Sequence, residues 1–255
     1  MRRLLLLTAL FSMLYVSSAH AMVTMSKHNL SSTQPVGTNI FTSATTEVCV
    51  FCHTPHGGTA DAPLWNRAMA TPGTYTPYTS STLDTTVGQP DGISLACLSC
   101  HDGTIALDAL RNQTGSGAII TGTISSAGWT FTNLAGSPGN NTLPEDGRIT
   151  NLTQNLADDH PISMTYPTAT QDPKFVQTYT TLGTARWFEE TGNTRADDNE
   201  VKLYQTPPVS GTYKVQCASC HNPHGTQVAS GTGDYPTFLR KSNASSALCT
   251  TCHIK

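Results

Sequence analysis

The sequence predicts a mostly irregular, loop-rich fold with short helices and a few short strands, held together by something other than apolar packing. Three observations predict it. Of 255 residues, 37% are hydrophobic, 7% aromatic and 12% charged, which is too little apolar matter for a thick core. Ser, Thr, Asn and Gly fill the intervals between hydrophobic residues, and these are turn and loop formers. Eight cysteines and nine histidines are the third observation. A formal net charge of −3 removes charge-driven disorder as the explanation. With 14 basic against 17 acidic residues and no basic run beyond Arg2-Arg3, nucleic acid is excluded as a partner.

The first 21 residues read as a secretory signal peptide. Arg2-Arg3 give a positive start, Leu4 to Val16 is almost continuously apolar, and Ser17-Ser18-Ala19-His20-Ala21 ends in Ala-x-Ala. The apolar run falls short of the roughly 20 residues that a membrane span needs, and no later stretch is apolar enough. The expectation is an exported chain without a membrane span, extracellular or at the cell surface, with the periplasm as alternative. In such an oxidising compartment, disulfides are the ordinary use of cysteine.

Four identical spacings displace that reading. The cysteines occur as Cys49-Val50-Phe51-Cys52-His53, Cys97-Leu98-Ser99-Cys100-His101, Cys217-Ala218-Ser219-Cys220-His221 and Cys249-Thr250-Thr251-Cys252-His253. Each is C-x-x-C-H, the attachment signature of c-type haem. Two thiols three residues apart meet the two vinyl groups of one porphyrin edge, and the next imidazole sits under the iron. All-cysteine zinc sites or short disulfides use the same cysteines, but neither requires a histidine after the second one. With nine histidines in 255 residues, four such placements by chance have a probability of roughly one in a million. The expectation is four covalently bound c-type haems, with His53, His101, His221 and His253 as proximal ligands.

His20 leaves with the signal peptide, so His28, His56, His160 and His224 remain for four distal positions. Met22, Met25, Met69 and Met164 are the competing distal ligands, which would raise the potential. His56 and His224 each follow a motif histidine by three residues, in Cys-His-Thr-Pro-His and Cys-His-Asn-Pro-His. Three residues span at most about 10–11 Å, too little to pass around a macrocycle edge. Each should therefore ligate a haem other than its own motif's, which interlocks the haems. Pro55 and Pro223 stiffen these links. His160 lies in Asp158-Asp159-His160-Pro161, where an acidic neighbour could hold the ring's other N–H or simply make a turn.

The motif positions divide the chain into an N-terminal two-haem module over 22–111, a polar Gly/Thr-rich insert over 112–155 and a C-terminal two-haem module over 156–255. His28 and His160 each precede a module, giving a weak repeat. Short helices are expected around Ser94–Cys100, Thr104–Arg111 and Ser245–Cys252. Short strands are expected in the insert at 118–124 and 129–131. Porphyrin faces should supply most of the missing core.

The strings His28-Asn29-Leu30-Ser31, Cys49 to His56, Ala62-Pro63-Leu64-Trp65-Asn66-Arg67, Asp159-His160-Pro161 and Cys217 to His224 resemble the multihaem c-type cytochromes of metal-reducing bacteria, most nearly the OmcE-like tetrahaem cytochromes. The resemblance implies a fold organised around a stacked haem chain, histidine at both axial positions of all four irons, and electron transfer to extracellular acceptors from head-to-tail filaments of a homopolymer. It carries over to the four motifs and to His28, His56, His160 and His224, and it matches least at 112–155. Coordination of a neighbour's haem by His28 would make a subunit joint. The alternative, in which His28 folds back onto a haem of its own chain, is allowed by the spacing. The expected function is electron carriage without substrate turnover, in exchange with other redox cytochromes and extracellular or periplasmic acceptors. A diffusing periplasmic shuttle and a multihaem reductase are the alternatives.

Overall fold

The computed structural model describes residues 22–35, 37, 39–58, 62–113, 124–134, 141–145, 150–193, 195–205, 211–225 and 236–254. The signal peptide and most of the expected strand at 118–124 lie outside them. Among the described residues no helix is long and apolar enough to cross a membrane.

The chain is loop-rich, as expected. Its longest helix, α1, runs Gly92–His101 and ends in the second motif. Pro90 fixes the approach, and Asp91 is extended at the N-cap with φ −142° and ψ 175°. Gly103 ends the turn beyond α1 with φ +71°, a left-handed position that glycine takes without penalty. A Cβ there would stand 2.5 Å from Nδ2 of Asn151, so crowding also requires glycine. The helix expected at Thr104–Arg111 does not form. Arg67 takes the carbonyls of Ala106 and Leu107 at 2.7 Å, and Leu107 N–H donates to the Asn141 carbonyl at 2.8 Å. Long-range bonds have claimed the groups a helix would use. The segment ends instead in strand β2, Ala109–Leu110.

Two-residue strands pair antiparallel in the N-terminal half. Strand β1, Phe41–Thr42, pairs with β4, Phe131–Thr132, and β2 pairs with β3, Ser125–Ser126. The larger sheet lies in the C-terminal module and was not anticipated from the sequence. It contains β5 (Met164–Thr165), β6 (Thr180–Leu182), β7 (Ala185–Trp187), β8 (Lys202–Gln205) and β9 (Tyr213–Val215), in the order β5-β9-β8-β7-β6. All its neighbours are antiparallel. The turn between β6 and β7 is the two residues Gly183-Thr184, with Gly183 at φ +61°, the positive φ that tight hairpins need.

Met164, Tyr166, Phe188, Val201, Leu203, Tyr213 and Val215 form the buried face of this sheet, with Phe175, Leu248 and Cys252 against it. The C-terminal module therefore has an apolar core of its own, beyond the porphyrin faces expected to supply it. The last motif lies on helix α3, Ala247–Cys252, close to the expected Ser245–Cys252. The third motif forms a single helical turn, α2, Cys217–Cys220. A second cluster of Val50, Phe51, Leu107, Leu110, Phe131 and Leu143 packs on Cys52 and Cys100. A polar clasp ties α1 to α2. Asp91 accepts from Lys214 Nζ and, at 2.7 Å, from Gln216 Nε2. Ser94, which is fully buried, donates to Gln216 Oε1 and accepts from Cys217 N–H at 3.1 Å.

Candidate haem sites

The first, third and fourth C-x-x-C-H motifs each form a helical turn with the histidine just beyond it, and the second closes α1, whose last residue is His101. All eight thiols are free, so the disulfide reading of the pairs is not the folded arrangement. Among the described residues no group of three or more His, Cys, Asp or Glu side chains converges on a metal position, which is the arrangement a zinc site would show. Burial pushes the Cys52 and Cys252 thiols up to about 12, so these sulfurs are neutral in apolar surroundings, the setting a thioether occupies. The thiols of consecutive motifs are neighbours. Cys52 interacts with Cys100, Cys97 hydrogen-bonds Cys217, and Cys220 interacts with Cys252. The motifs therefore follow one another in space in sequence order.

The histidines form facing pairs. The His53 and His224 rings lie 6.0 Å apart between centroids and 20° from parallel. His101 faces His28 at 6.1 Å and 65°, and His253 faces His160 at 6.5 Å and 69°. Two metal–imidazole bonds of about 2 Å each plus two half-rings come to about 6 Å. These pairs have the spacing of two imidazoles on opposite sides of one iron. His224 thus faces a different motif's histidine, as the three-residue link requires. His28 faces a histidine of its own chain. Among the described residues, no second imidazole faces His221 and none faces the exposed His56.

Backbone carbonyls orient the rings. His53 Nδ1 donates to Pro63 O at 2.8 Å, His101 Nδ1 to Thr150 O at 2.6 Å and His221 Nδ1 to Thr237 O at 2.7 Å. Among the distal rings, His28 Nδ1 donates to Pro223 O and His160 Nδ1 to Pro161 O, each at 3.0 Å. A carbonyl can only accept, so Nδ1 carries the proton and Nε2 presents its lone pair, the tautomer a metal ligand needs. At His160 a backbone carbonyl, and not an acidic neighbour, holds the ring. Burial lowers the pKa of His101, His224 and His253 and takes His28 down to about 4, keeping the rings in the neutral, ligating form.

The strings around the motifs build these contacts. Asn29, fully buried, accepts from Ser31 N–H at 3.1 Å and from Ser31 Oγ at 2.7 Å, shaping the turn that presents His28. Phe238 stacks on the His28 ring at 4.3 Å and 9°. Leu64 and Phe238 hold equivalent places, both in left-handed backbone with φ +53° and +59°. Each follows the carbonyl that receives its motif's histidine. Asn66 N–H donates to Cys52 O at 2.9 Å, and Arg240 N–H donates to Cys220 O at 2.8 Å. Residues 64–66 and 238–240 thus brace the first and third motifs in the same way. Pro63, Thr150 and Thr237 were missed as functional positions because a carbonyl contact leaves no mark on residue type, and Phe238 because its ring meets a histidine 210 residues away.

The free thiol pairs, the ring spacing and the fixed tautomers all fit haem. The eight cysteines would hold it covalently, the motif histidines would ligate its iron, and the bound group would supply one-electron chemistry. No curated protein matches the chain. Residues 208–255 match the family model for the doubled CXXCH motif, and the chain is accordingly a binder of covalent c-type haem with the motif pairing of multihaem electron-transfer cytochromes.

Proposed function

We propose that this is a tetrahaem electron carrier, exported and without substrate turnover, in which every iron has histidine on both sides. The three facing imidazole pairs carry the reading. A site closed on both axial faces exchanges electrons without exchanging ligands, whereas a reductase needs an open iron and acid/base groups beside it. Consecutive motifs in contact would let electrons pass along the chain and out to other redox cytochromes or to extracellular or periplasmic acceptors.

The third motif's haem, whose His221 has no facing imidazole among the described residues, suits a homopolymer. His224, in the third motif's loop, reaches back to the first haem of the preceding module. By the same step, His56 in the first motif's loop would reach back to the His221 haem of a preceding copy. That contact is heterologous and head-to-tail, which builds an open filament unless the rotation closes. This assigns the joint to His56 and frees His28 from that role. Mass spectrometry of the mature protein should show four haems, and fewer would overturn the count. Electron microscopy should show filaments that His56→Ala abolishes with the haem count unchanged. In that variant one haem should bind cyanide, whereas the intact assembly should bind none. Filaments persisting in the variant would sink the joint, and a cyanide-binding haem in intact filaments would favour the reductase.

The ring angles make a spectroscopic prediction. Near-parallel and near-perpendicular axial imidazoles split the iron d orbitals differently. The ferric protein should show one rhombic low-spin signal from the His53/His224 site and strongly anisotropic low-spin signals from the His101/His28 and His253/His160 sites. A single uniform low-spin class in electron paramagnetic resonance would contradict these pairings.

A further inference from the structure

Arg67 is fully buried. Its guanidinium donates to three main-chain carbonyls, from Nη1 to Leu107 O at 2.7 Å and from Nη2 to Ala106 O at 2.7 Å and Ser99 O at 3.3 Å. Nε has no hydrogen-bond partner. Among the described residues no carboxylate comes within ion-pairing distance of it. The two acidic residues nearest in sequence to the carbonyls it holds are engaged elsewhere. Asp108 accepts from Ser126 Oγ at 2.5 Å and Trp129 N–H at 3.2 Å, and Asp102 accepts from Tyr75 OH at 2.6 Å and Thr104 Oγ1 at 2.8 Å. Burying an arginine without a counter-ion is costly, and the carbonyl bonds offset only part of that cost.

Its position suggests what the charge does. Asn66, one residue earlier, is hydrogen-bonded to the Cys52 carbonyl. Ser99, whose carbonyl Nη2 holds, immediately precedes Cys100. The guanidinium therefore sits between the anchoring cysteines of the first two motifs. The matching cation of the other module has different company. Arg240 donates to Ala218 O, the main-chain carbonyl of Asp198 and Tyr204 OH, and the Asp197, Asp198 and Glu200 carboxylates act together with it on the neighbouring Lys202. Lys241 is paired with Glu190.

We infer that Arg67 is a fixed positive charge that holds the two N-terminal haems at higher reduction potential than the two C-terminal haems. Adding an electron to an iron is favoured by a nearby cation, and more so where low-dielectric surroundings leave it unscreened. Electrons would then rest on the N-terminal module, giving the haem row a direction. This inference rests on the four covalent haems of the proposed function and is independent of filament formation.

The test is a spectroelectrochemical titration of the holoprotein, with haem content checked first by mass so that failure of the haem reading shows separately. Arg67→Met should move two of the four component potentials to more negative values and leave two in place. Arg67→Lys, which keeps the charge, should stay close to the native profile. If Arg67→Met loses haem or fails to fold, Ala106→Asp decides the matter. It sets a carboxylate on a residue whose carbonyl the guanidinium already holds, and should lower the same two components with the arginine retained. Unchanged potentials, an equal shift of all four, or the same shift in the lysine and methionine variants would overturn the inference.

Discussion

Replacing Cys217 and Cys220 together by alanine is expected to leave a chain with one haem fewer and a loosened C-terminal end. Helix α2 has only four residues, far below the length at which a helix sustains itself in water. The segment around it has little apolar material, Ala218 being the one buried hydrophobic residue among the described residues between Val215 and the last motif. Its order comes from the thioether anchors, the clasp through Gln216 and the Arg240 contacts. Limited proteolysis should cut rapidly within 217–254. Strands β6 to β8 should be protected, since Phe188, Val201 and Leu203 stay buried beneath them. Protection of both regions would mean that the third haem has no structural role.

Replacing His28 by alanine is the second large change. It removes the imidazole facing His101, the stack on Phe238 and the bond to Pro223 O in one step. Residues 22–33 would lose their main attachment to the C-terminal module, and such a terminus becomes mobile when untied. One haem should turn high-spin and bind cyanide, while filaments built through the proposed His56 joint should persist. His28→Met should keep that haem low-spin and raise its potential. A variant that stays wholly low-spin would show that His28 is not an axial ligand.

The sequence made the chemistry of the site legible and most of its geometry illegible. A C-x-x-C-H motif is local, so eight cysteines and four histidines can be proposed as haem-holding residues without a fold. The pairing of His28 with His101 or His224 with His53 depends on contacts across more than 70 residues, which spacing can limit but not choose. The helix at Thr104–Arg111 was misread because its apolar spacing is real, yet Arg67 lies 39 residues from Ala106 and takes its carbonyl. The five-stranded sheet escaped notice because its strands have two to four residues, too few for alternation to stand out among Thr, Lys and Gln.

An imidazole whose Nδ1–H is engaged by a main-chain carbonyl holds that proton away from water when the charge beside it changes. His53, His101, His221, His28 and His160 are all held this way. Electron arrival at the irons they serve would be uncoupled from proton transfer, with little nuclear rearrangement in the ligands. Hops between neighbours would then show no solvent deuterium isotope effect and would run at nearly the same rate on either side of neutral pH.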